Sequence, residues 1–504
     1  MFNLKNKKIL IFAQRGWGVR IGHFLARKIV AEGGRAAALT LKRSTHKFLL
    51  NQKDVNYDLL VNNDAIMDDP LKFLVDDDYS LAKICRDLNI DSVWPLVYTQ
   101  RQLVRSYKDK FYYGYKQNVP DEIIVAYIKA IYKNIKNIFA SFAPDLIIAP
   151  NFGDLLHIMF CLYAKKRGVK MMTVTECKVK GVCIFSYNYN DDEGPFFNRV
   201  DELNRGEVKS DNRARAKEYL AAFRKKFIAP DQAFPTRQAT NFFKKIKAEL
   251  KPYYQIYQWL AHRQINHLPL LGITTDYRPP RIILRDHYAR KRYERYMRRL
   301  NYYSLENLSK IVYFPLQFQP EVTIDVLAPF FSNQIEVARQ IAMSLPDDYT
   351  LVVKEHPEMV GLRPPSYIEK IMRTPNIKMI DYRVKSEEIL KRADLLVSIN
   401  GTSLAEAAFY GKKGIQLGNL GITKKLPNVT THTHLPSLAE KIKQVLSSEV
   451  DPAYYEWKME NYVAAAYDTG FEFNYWGVWD RSDKIDMTPL WQAFRQEIIR
   501  VLQK

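Results

Sequence analysis

The chain has 504 residues, of which 47% are hydrophobic, so it is long enough to bury one large core or two ordinary ones. It contains no run of eighteen apolar residues, its first residues lack the apolar core of a signal peptide, and its four cysteines show neither CxxC nor zinc spacing. These features argue against a membrane span, a secreted disulfide scaffold and a zinc site, and they predict a cytoplasmic protein. The net charge of +21 makes nucleic acid, an anionic membrane surface and phosphorylated substrates the candidate partners.

The first predicted strand covers residues 7–13 and precedes a predicted helix over residues 21–32. Between them, Gly16 and Gly18 form a Gly-x-Gly pair. The next glycine falls one residue late for a dinucleotide-binding loop, so we interpret the pair as a tight turn between strand and helix.

Two groups of charged residues near this end of the chain are candidate ligand sites. Arg15 and Arg20 lie beside the start of the first helix, where they would suit a phosphate or carboxylate of a substrate. Three consecutive aspartates at residues 76–78 suggest a divalent metal. They precede a helical pattern at residues 79–88, so we interpret them as helix-start charges and predict no metal site.

The following elements alternate between short apolar runs and helical patterns, which predicts an α/β domain over residues 1–235. We predict strands at residues 36–41, 57–61, 92–97, 145–149 and 170–175, and helices at residues 121–141 and 154–167.

Two carboxylates follow successive predicted strands and are candidates for the catalytic base or nucleophile. Asp154 begins a helix, so helix capping explains it as well as catalysis does. Glu176 ends an apolar strand and has no evident capping role, and Glu is rarely buried without a partner. Glu176 is therefore our first choice for the catalytic carboxylate.

A third candidate carboxylate is Asp192, within the sequence Asp191-Asp-Glu-Gly194. Acidic residues followed by glycine are common in solvated turns, and we favour that interpretation of this segment.

Residues 236–310 form a basic and aromatic segment between the two α/β halves, with sixteen Lys or Arg against five Asp or Glu. It is predicted to be largely helical. It is either a solvated basic face or a patch that docks on an anionic membrane, with tyrosines at the boundary. Basic residues interleaved with aromatic ones also suit single-stranded nucleic acid, but no RNA- or DNA-binding motif accompanies them, so no nucleic-acid partner is expected.

Four apolar runs at residues 311–315, 350–354, 377–381 and 395–399 predict a second parallel sheet, because helical patterns separate them. In such sheets the ligand lies beyond the carboxyl ends of the strands. Two of these ends carry polar loops, which we expect to follow adjacent strands.

The first polar loop contains Lys354 and His356, and the second contains Gly401, Thr402 and Ser403. The start of the helix after Gly401 would present free N–H groups to a phosphate. The Ser403-x-x-Glu406 spacing also predicts a capping box, which explains Ser403 equally well.

Three segments of this half resemble the bacterial capsule polysaccharide biosynthesis proteins, a family of GT-B-type glycosyltransferases that includes the β-Kdo transferases. They are Tyr313-Phe-Pro-Leu-Gln-Phe-Gln-Pro-Glu321, Val353-Lys-Glu-His-Pro-Glu358 and Gly401-Thr-Ser-Leu-Ala-Glu-Ala-Ala-Phe-Tyr-Gly-Lys412. The resemblance covers about the last two-fifths of the chain well and the first half loosely. It implies two Rossmann-like domains facing a cleft, with a nucleotide-sugar domain at residues 311–450 and a tail at residues 451–504 that crosses back to the first domain.

The resemblance also implies roles for individual residues. In this family and in bacterial sialyltransferases, a His-Pro loop and a small hydroxyl loop hold the phosphate of a CMP-activated sugar, and the Asp192 segment resembles the acidic motif that supplies the sialyltransferase base. We expect donor binding at Gln317, Lys354, His356, Gly401, Thr402, Ser403 and Glu406.

The sequence therefore predicts a cytoplasmic glycosyltransferase, peripheral on the membrane, that uses a CMP-sugar of the Kdo type without a cofactor or a metal. Its acceptor would be a glycan or a lipid-linked glycan of a capsule or another surface polysaccharide. The alternatives are a transferase that uses a UDP-sugar or CDP-glycerol, and a nucleic-acid- or membrane-binding protein with an inactive cleft.

Overall fold

A computed structural model describes residues 4–74, 79–105, 117–228, 242–481 and 485–503. The aspartates at residues 76–78, considered above as a metal site, lie outside the described residues.

Thirteen strands occur among the described residues and form two sheets. In chain order they are β1 Lys8–Ala13, β2 Arg35–Thr40, β3 Leu59–Asn62, β4 Leu146–Ile148, β5 Lys170–Glu176, β6 Val182–Ser186, β7 Ile311–Pro315, β8 Thr350–Lys354, β9 Ile377–Ile380, β10 Leu395–Ser398, β11 Lys413–Gln416, β12 Val429–Thr431 and β13 Phe471–Glu472.

The described helices cover most of the remaining chain. Those of the first half are α1 Arg15–Trp17, α2 His23–Ala31, α3 Arg43–Leu50, α4 Asn63–Asp68, α5 Leu81–Leu88, α6 Trp94–Val97, α7 Arg101–Val104, α8 Asp121–Ser141, α9 Leu155–Lys166, α10 Pro195–Arg205 and α11 Arg213–Lys225. Those of the second half are α12 Phe242–Ala261, α13 Pro280–Arg299, α14 Val322–Asp325, α15 Gln334–Met343, α16 Pro365–Met372, α17 Ser386–Arg392, α18 Thr402–Phe409, α19 Gly421–Lys424, α20 Leu438–Ser447, α21 Pro452–Thr469 and α22 Thr488–Leu502.

The first sheet has the strand order β13-β6-β5-β4-β1-β2-β3. Strands β1 to β5 are parallel, whereas β6 and β13 are antiparallel to their neighbours. Alternate residues of β1 enter different cores, with Leu10 and Phe12 on one face and Ile9 and Ile11 on the other. Burial on both faces explains why the strand reads as a continuous apolar run.

The second sheet has the order β12-β11-β10-β7-β8-β9, and all of its strands are parallel. Numbered from β7, this order is 3-2-1-4-5-6, the doubly wound arrangement of a Rossmann domain. The predicted architecture of two Rossmann-like α/β domains is confirmed.

Three predictions about element types and strand order were wrong. Residues 92–97 contain helix α6 instead of a strand, because Pro95 lacks a backbone N–H and is accommodated in the first turn of a helix. Gly16 and Gly18 do not form a turn, since α1, a π-helical segment at Gly18–Gly22 and α2 make one continuous helical stretch. A side chain at Gly18 would lie 2.5 Å from the backbone of Ala13, so the glycine allows the helix to approach β1.

The third wrong prediction is the adjacency of the two polar loops. They follow β8 and β10, and β7 lies between these strands.

The basic segment between the domains contacts both of them. At its middle, the Tyr277 hydroxyl donates a hydrogen bond to Asp64, and the Arg43 guanidinium lies 4.2 Å from the Tyr277 ring. Helix α13 then packs on α16 of the second domain. From residue 242 onward the segment is largely helical, as predicted, and its α12 and α13 pack against each other.

The chain after residue 451 packs on the first domain. Strand β13 pairs with β6, helix α21 packs on α10 and α11, and Arg495 of α22 forms an ion pair with Glu32. Among the described residues, no helix combines the length and the apolar character needed to cross a membrane.

Candidate active site

The strand order of the second sheet reverses between β7 and β10, and the chain segments at the carboxyl ends of these two strands touch. Gln317, which follows β7, donates a hydrogen bond from Nε2 to the Ser398 hydroxyl at 3.0 Å. A side chain on Gly401 would lie 2.9 Å from Gln317 Oε1, and Gly401 has φ +112°. Ligands of doubly wound sheets bind at such a point. The structure therefore brings Gln317 and the Gly401 loop together where a ligand is expected.

The hydroxyl loop opens α18 without a side-chain cap. Gly401 is the N-cap, and Thr402 and Ser403 are the first two helical residues. The predicted capping box between Ser403 and Glu406 is therefore wrong, because the helix begins two residues earlier than that motif requires. First-turn N–H groups that lack a side-chain cap suit an anion, together with the hydroxyls of Thr402 and Ser403.

His356 follows β8 and is a neutral hydrogen-bond donor. Its Nδ1 accepts a hydrogen bond from the Glu358 N–H at 3.2 Å, so the ring proton is on Nε2. Burial, together with the nearby positive charges of Arg363 and Lys354, lowers the pKa of His356 to about 4. At neutral pH the imidazole can thus donate from Nε2 but carries no charge.

Lys354 is buried and is held by the loop after β9. Its ammonium donates to the Val384 carbonyl at 2.9 Å and to the Ser386 hydroxyl at 2.8 Å. Burial lowers the pKa of Lys354 to about 8, against the opposing effect of Glu406. Burial also raises the pKa of Glu406 to about 7, although Lys354 and Lys178 act in the opposite direction. The charges of Lys354 and Glu406 thus act on each other at the predicted donor site.

A cavity of about 320 Å³ lies at the carboxyl ends of β1, β3 and β4, and it includes the point between β1 and β4 where the strand order of the first sheet reverses. Residues from the second domain close its other side. Its polar and aromatic lining includes Gln14, Arg15, Asn63, Thr99, Arg101, Tyr127, Asn151, Asp154, Thr274, Thr275, Asp276, Phe318 and Glu321. The cavity is therefore an inter-domain cleft, and the Phe318 ring lies 5.8 Å from the His356 ring.

Within the described part of the chain, three amide oxygens of this cleft are buried without a hydrogen-bond partner, namely Gln14 Oε1, Asn63 Oδ1 and Asn151 Oδ1. A buried polar atom left unpaired costs free energy, which a ligand that donates hydrogen bonds would recover. Ligand hydroxyl groups are such donors.

The structure separates the two arginines predicted to bind an anion. Arg15 lines the cleft, and its guanidinium donates to Asp276 Oδ2 at 2.8 Å and 3.0 Å. Arg20 donates to the carbonyl of Trp479 in the C-terminal segment. It is not among the residues that line the cleft.

Asp154 lines the cleft and caps α9, accepting hydrogen bonds from the N–H groups of Leu156 at 3.1 Å and His157 at 3.4 Å. Its Oδ1 also lies 2.8 Å from His157 Nδ1. Burial alone would raise the pKa of Asp154, but His157 and Arg101 outweigh it and the pKa is lowered. Asp154 is therefore an ionised carboxylate that faces the cleft.

Glu176 ends β5, which pairs with β4, and its side chain is almost fully buried. Its Oε2 lies 3.6 Å from the ammonium of Lys178. Glu176 thus has a charged partner that the sequence did not indicate, and it does not line the cleft.

Asp192 lies where the first domain meets the second. It accepts a hydrogen bond from Asn188, and a side chain on Gly421 of the second domain would lie 2.3 Å from Asp192 Cβ. It borders a separate cavity of about 270 Å³ with Tyr187 and Arg500. The structure therefore does not bring Asp192 into the cleft that holds Asp154.

Lys178 is a central residue that sequence reasoning missed. Besides pairing with Glu176, its charge lowers the pKa values of Asp191, Glu321 and Glu406, all of which burial raises. Glu321 and Glu406 belong to the second domain, so this cation lies at the boundary of both domains. Lys178 belongs to no sequence motif, and the neighbouring Glu176 is the one sequence signal noted in this loop.

Asp325 forms a second unpredicted contact between the domains. It is fully buried and accepts from Arg105 at 2.9 Å, and Arg101 of the cleft lies 3.1 Å away. Within the described ranges, no three His, Cys, Asp or Glu side chains are grouped so that they could hold a metal ion.

No protein-family model matches the sequence, and no curated protein matches it. Among solved structures, the chain is similar to a β-Kdo 2,7 transferase, KpsC of Thermosulfurimonas dismutans, with 10% identity over 73% of this chain and 89% of that chain and a TM-score of 0.36. It is also similar to a glycosyltransferase from Rickettsia africae, with 11% identity over 99% of both chains and a TM-score of 0.27.

A third similar structure is the UDP-GlcNAc 2-epimerase from Neisseria meningitidis bound to UDP-GlcNAc, with 11% identity over 92% of this chain and 97% of that chain and a TM-score of 0.27. Likeness at this level does not assign a function to the chain.

Proposed function

We propose that this protein is a GT-B-type glycosyltransferase of capsule or other surface-polysaccharide biosynthesis, and that it transfers a Kdo-like sugar from a CMP-activated donor to a glycan or glycolipid acceptor. One observation carries the proposal. The segment that follows β7, at the switch point of the second sheet, lines the cleft at the switch point of the first sheet. Two ligands bound at these points would meet in one cleft.

The donor nucleotide binds to the second domain in this proposal. Its phosphate accepts from His356 Nε2, from the hydroxyls of Thr402 and Ser403 and from the N–H groups at the start of α18. The uncapped helix start and the protonated Nε2 both support this assignment. Lys354 and Gln317 hold the loops around the phosphate in place.

The acceptor sugar binds in the cleft of the first domain. Its hydroxyl groups donate to Gln14 Oε1, Asn63 Oδ1 and Asn151 Oδ1, which supports the choice of a polyhydroxylated ligand. The Phe318 ring offers an apolar surface beside these groups.

Asp154 is the carboxylate best placed to take the proton of the attacking acceptor hydroxyl. It is ionised and lines the cleft, which favours it over Glu176, our choice from the sequence. The ring of His157 stabilises the charge of Asp154. Asp192 remains an alternative base, as the sialyltransferase-like motif implies.

The acceptor is proposed to be lipid-linked and reached at the cytoplasmic surface of the membrane. The basic segment at residues 236–310 supports this, because it concentrates eleven net positive charges in one part of the chain.

Thermal unfolding with CMP, UDP, CDP or no nucleotide tests the proposed donor. A ligand that binds only the folded protein stabilises it by about 2.7 kcal/mol at one hundred times its Kd. We expect CMP to raise the unfolding midpoint more than UDP or CDP does. A larger shift with UDP or CDP would replace the CMP-sugar with one of those donors. No shift with any nucleotide would favour a binding protein with an inactive cleft.

A further inference from the structure

Helix α12 has an exposed apolar and aromatic stripe along one face. Its members follow the spacing of a single helical face and are 40% to 62% exposed: Ile246, Leu250, Tyr253, Tyr254, Tyr257 and Leu260. They extend over about 21 Å at 1.5 Å per residue. The opposite face packs on the protein through the buried Pro252 and the half-buried Ile256 and Trp259. The stripe therefore points away from the molecule.

Helix α13 continues this surface with a basic stripe. Tyr288 is exposed, and its hydroxyl lies 3.0 Å from that of Tyr253, so the two stripes meet there. One face of α13 holds Tyr288 together with Arg281, Arg292, Arg295 and Arg299, which are all exposed. In the part of the chain that the structure describes, these four arginines have no ion pair with a carboxylate.

The other basic residues of α13 are largely used within the protein. Arg290 and Arg298 form ion pairs with Glu294, and Lys291 pairs with Glu249 of α12. The charges available to a partner are therefore those beside Tyr288. Lys247 and Lys251 are exposed on the far side of the apolar stripe, so positive charge flanks it on both sides.

We propose that α12 and α13 form a docking surface for an anionic phospholipid bilayer, with the α12 stripe inserted at the level of the headgroups and the α13 arginines bound to phosphates. An amphipathic helix with tyrosines at the polar boundary and flanking basic residues has the composition of an interfacial helix. Single-stranded nucleic acid fits less well, because its bases stack within grooves and these tyrosines lie on a convex helix. The purpose of the surface rests on the proposed function, since a lipid-linked acceptor is found at a bilayer.

Sedimentation with vesicles of phosphatidylcholine, alone or mixed with phosphatidylglycerol, tests the docking surface. The wild-type protein should bind only the mixed vesicles, and added salt should weaken binding. Replacing Arg292, Arg295 and Arg299 with Gln should weaken binding about 100-fold at low salt, because each such charge contributes about 1 kcal/mol near the surface.

A second variant tests the apolar stripe. Leu250→Ser combined with Tyr254→Ser and Tyr257→Ser should weaken binding by at least about tenfold, because less apolar area enters the headgroup region. These side chains are exposed, so the thermal unfolding midpoint should remain that of the wild-type protein.

Matched controls remove similar groups elsewhere on the surface. Replacing exposed Lys53, Lys225 and Lys226 with Gln removes the same charge, and replacing exposed Leu50, Phe330 and Met343 with Ser removes apolar area. Both control variants should bind vesicles like the wild-type protein. Equal losses in the control variants, or equal binding to neutral vesicles, would overturn the proposal.

Two further measurements separate the proposal from its alternatives. Self-association that the Leu250, Tyr254 and Tyr257 variant abolishes, seen by sedimentation velocity without lipid, would identify a second copy as the partner and overturn the bilayer proposal. Nucleotide-induced stabilisation should be the same in all variants. In the wild-type protein, stabilisation by CMP without binding to the mixed vesicles would refute the docking surface alone, whereas binding to the mixed vesicles without stabilisation by any nucleotide would refute the donor assignment alone.

Discussion

Replacing His356 probes the proposed donor site most directly, because one of its ring nitrogens holds the loop and the other is free to donate to a ligand. Nδ1 accepts from the Glu358 N–H within the loop, and Nε2 carries the proton. His356→Asn places an oxygen near the position of Nδ1, so it keeps the loop contact and loses the donor to the ligand. His356→Gln places an amide N–H near the position of Nε2 and loses the loop contact.

The expected magnitude follows from the neutral state of the ring. A hydrogen bond from an uncharged donor to a charged phosphate contributes about 1.5–3 kcal/mol, so His356→Ala and His356→Asn should each weaken CMP binding by about 10- to 150-fold. His356→Gln should retain most of the affinity. His434→Ala, at an exposed histidine of the same domain, should have no effect.

Isothermal titration calorimetry with CMP at several pH values is the assay. Because the pKa of His356 is about 4, this group stays neutral from pH 5.5 to 8, and its contribution to binding should not change over that range. Wild-type affinity in a well-folded His356→Asn variant would refute the phosphate contact. If affinity rose tenfold from pH 8 to pH 6 in the wild-type protein but not in His356→Gln, the donor would be a charged imidazolium and our reasoning about burial would be wrong.

Three other predictions follow from the same structure. Asp154→Asn removes the proposed base and should abolish sugar transfer, but it keeps an oxygen that can cap α9, so CMP affinity and the unfolding midpoint should not change. If Glu176→Gln or Asp192→Asn is the only inactive variant in the transfer assay, that carboxylate is the base instead. CMP affinity should fall from pH 7 to pH 9, because Glu406, with a pKa of about 7, gains negative charge and Lys354, with a pKa of about 8, loses positive charge. An affinity that calorimetry finds independent of pH over this range would exclude both groups from the phosphate site. Asp325→Ala should lower the free energy of unfolding, measured by urea denaturation, by about 3–5 kcal/mol, because it breaks the buried ion pair with Arg105. A decrease below about 1 kcal/mol would show that solvent reaches this ion pair.

Much of the architecture could be predicted from the sequence because parallel strands buried on both faces must be apolar throughout. Strands β7 to β10 appear as short β-branched or aliphatic runs separated by helical patterns, and no other fold class accommodates that alternation as well. The same logic placed Gly401 and His356 at carboxyl ends of strands. Local patterns sufficed for these features because each depends on a few neighbouring residues.

The order of the strands and the exact start of a helix depend on contacts that are distant in the chain. The loops after β8 and β10 are separated by β7, and no local signal records which strands pair. Ser403 and Glu406 have the spacing of a capping box, yet α18 begins after Gly401, where the loop meets Gln317. At residues 92–97 an apolar run of strand-like composition became a helix, since so short a run does not distinguish the two states.

The cleft itself was decided by the tertiary structure. The sequence indicated Asp154 and Arg15 separately, but only the fold brings them together with Asn63 and Asp276 around one cavity and moves Arg20 and Asp192 away from it. Lys178 acquired its importance in the same way, because its charge acts on carboxylates from both domains that lie far apart in the chain. Electrostatic interactions depend on distance through space and on burial, and a sequence pattern carries neither of these quantities.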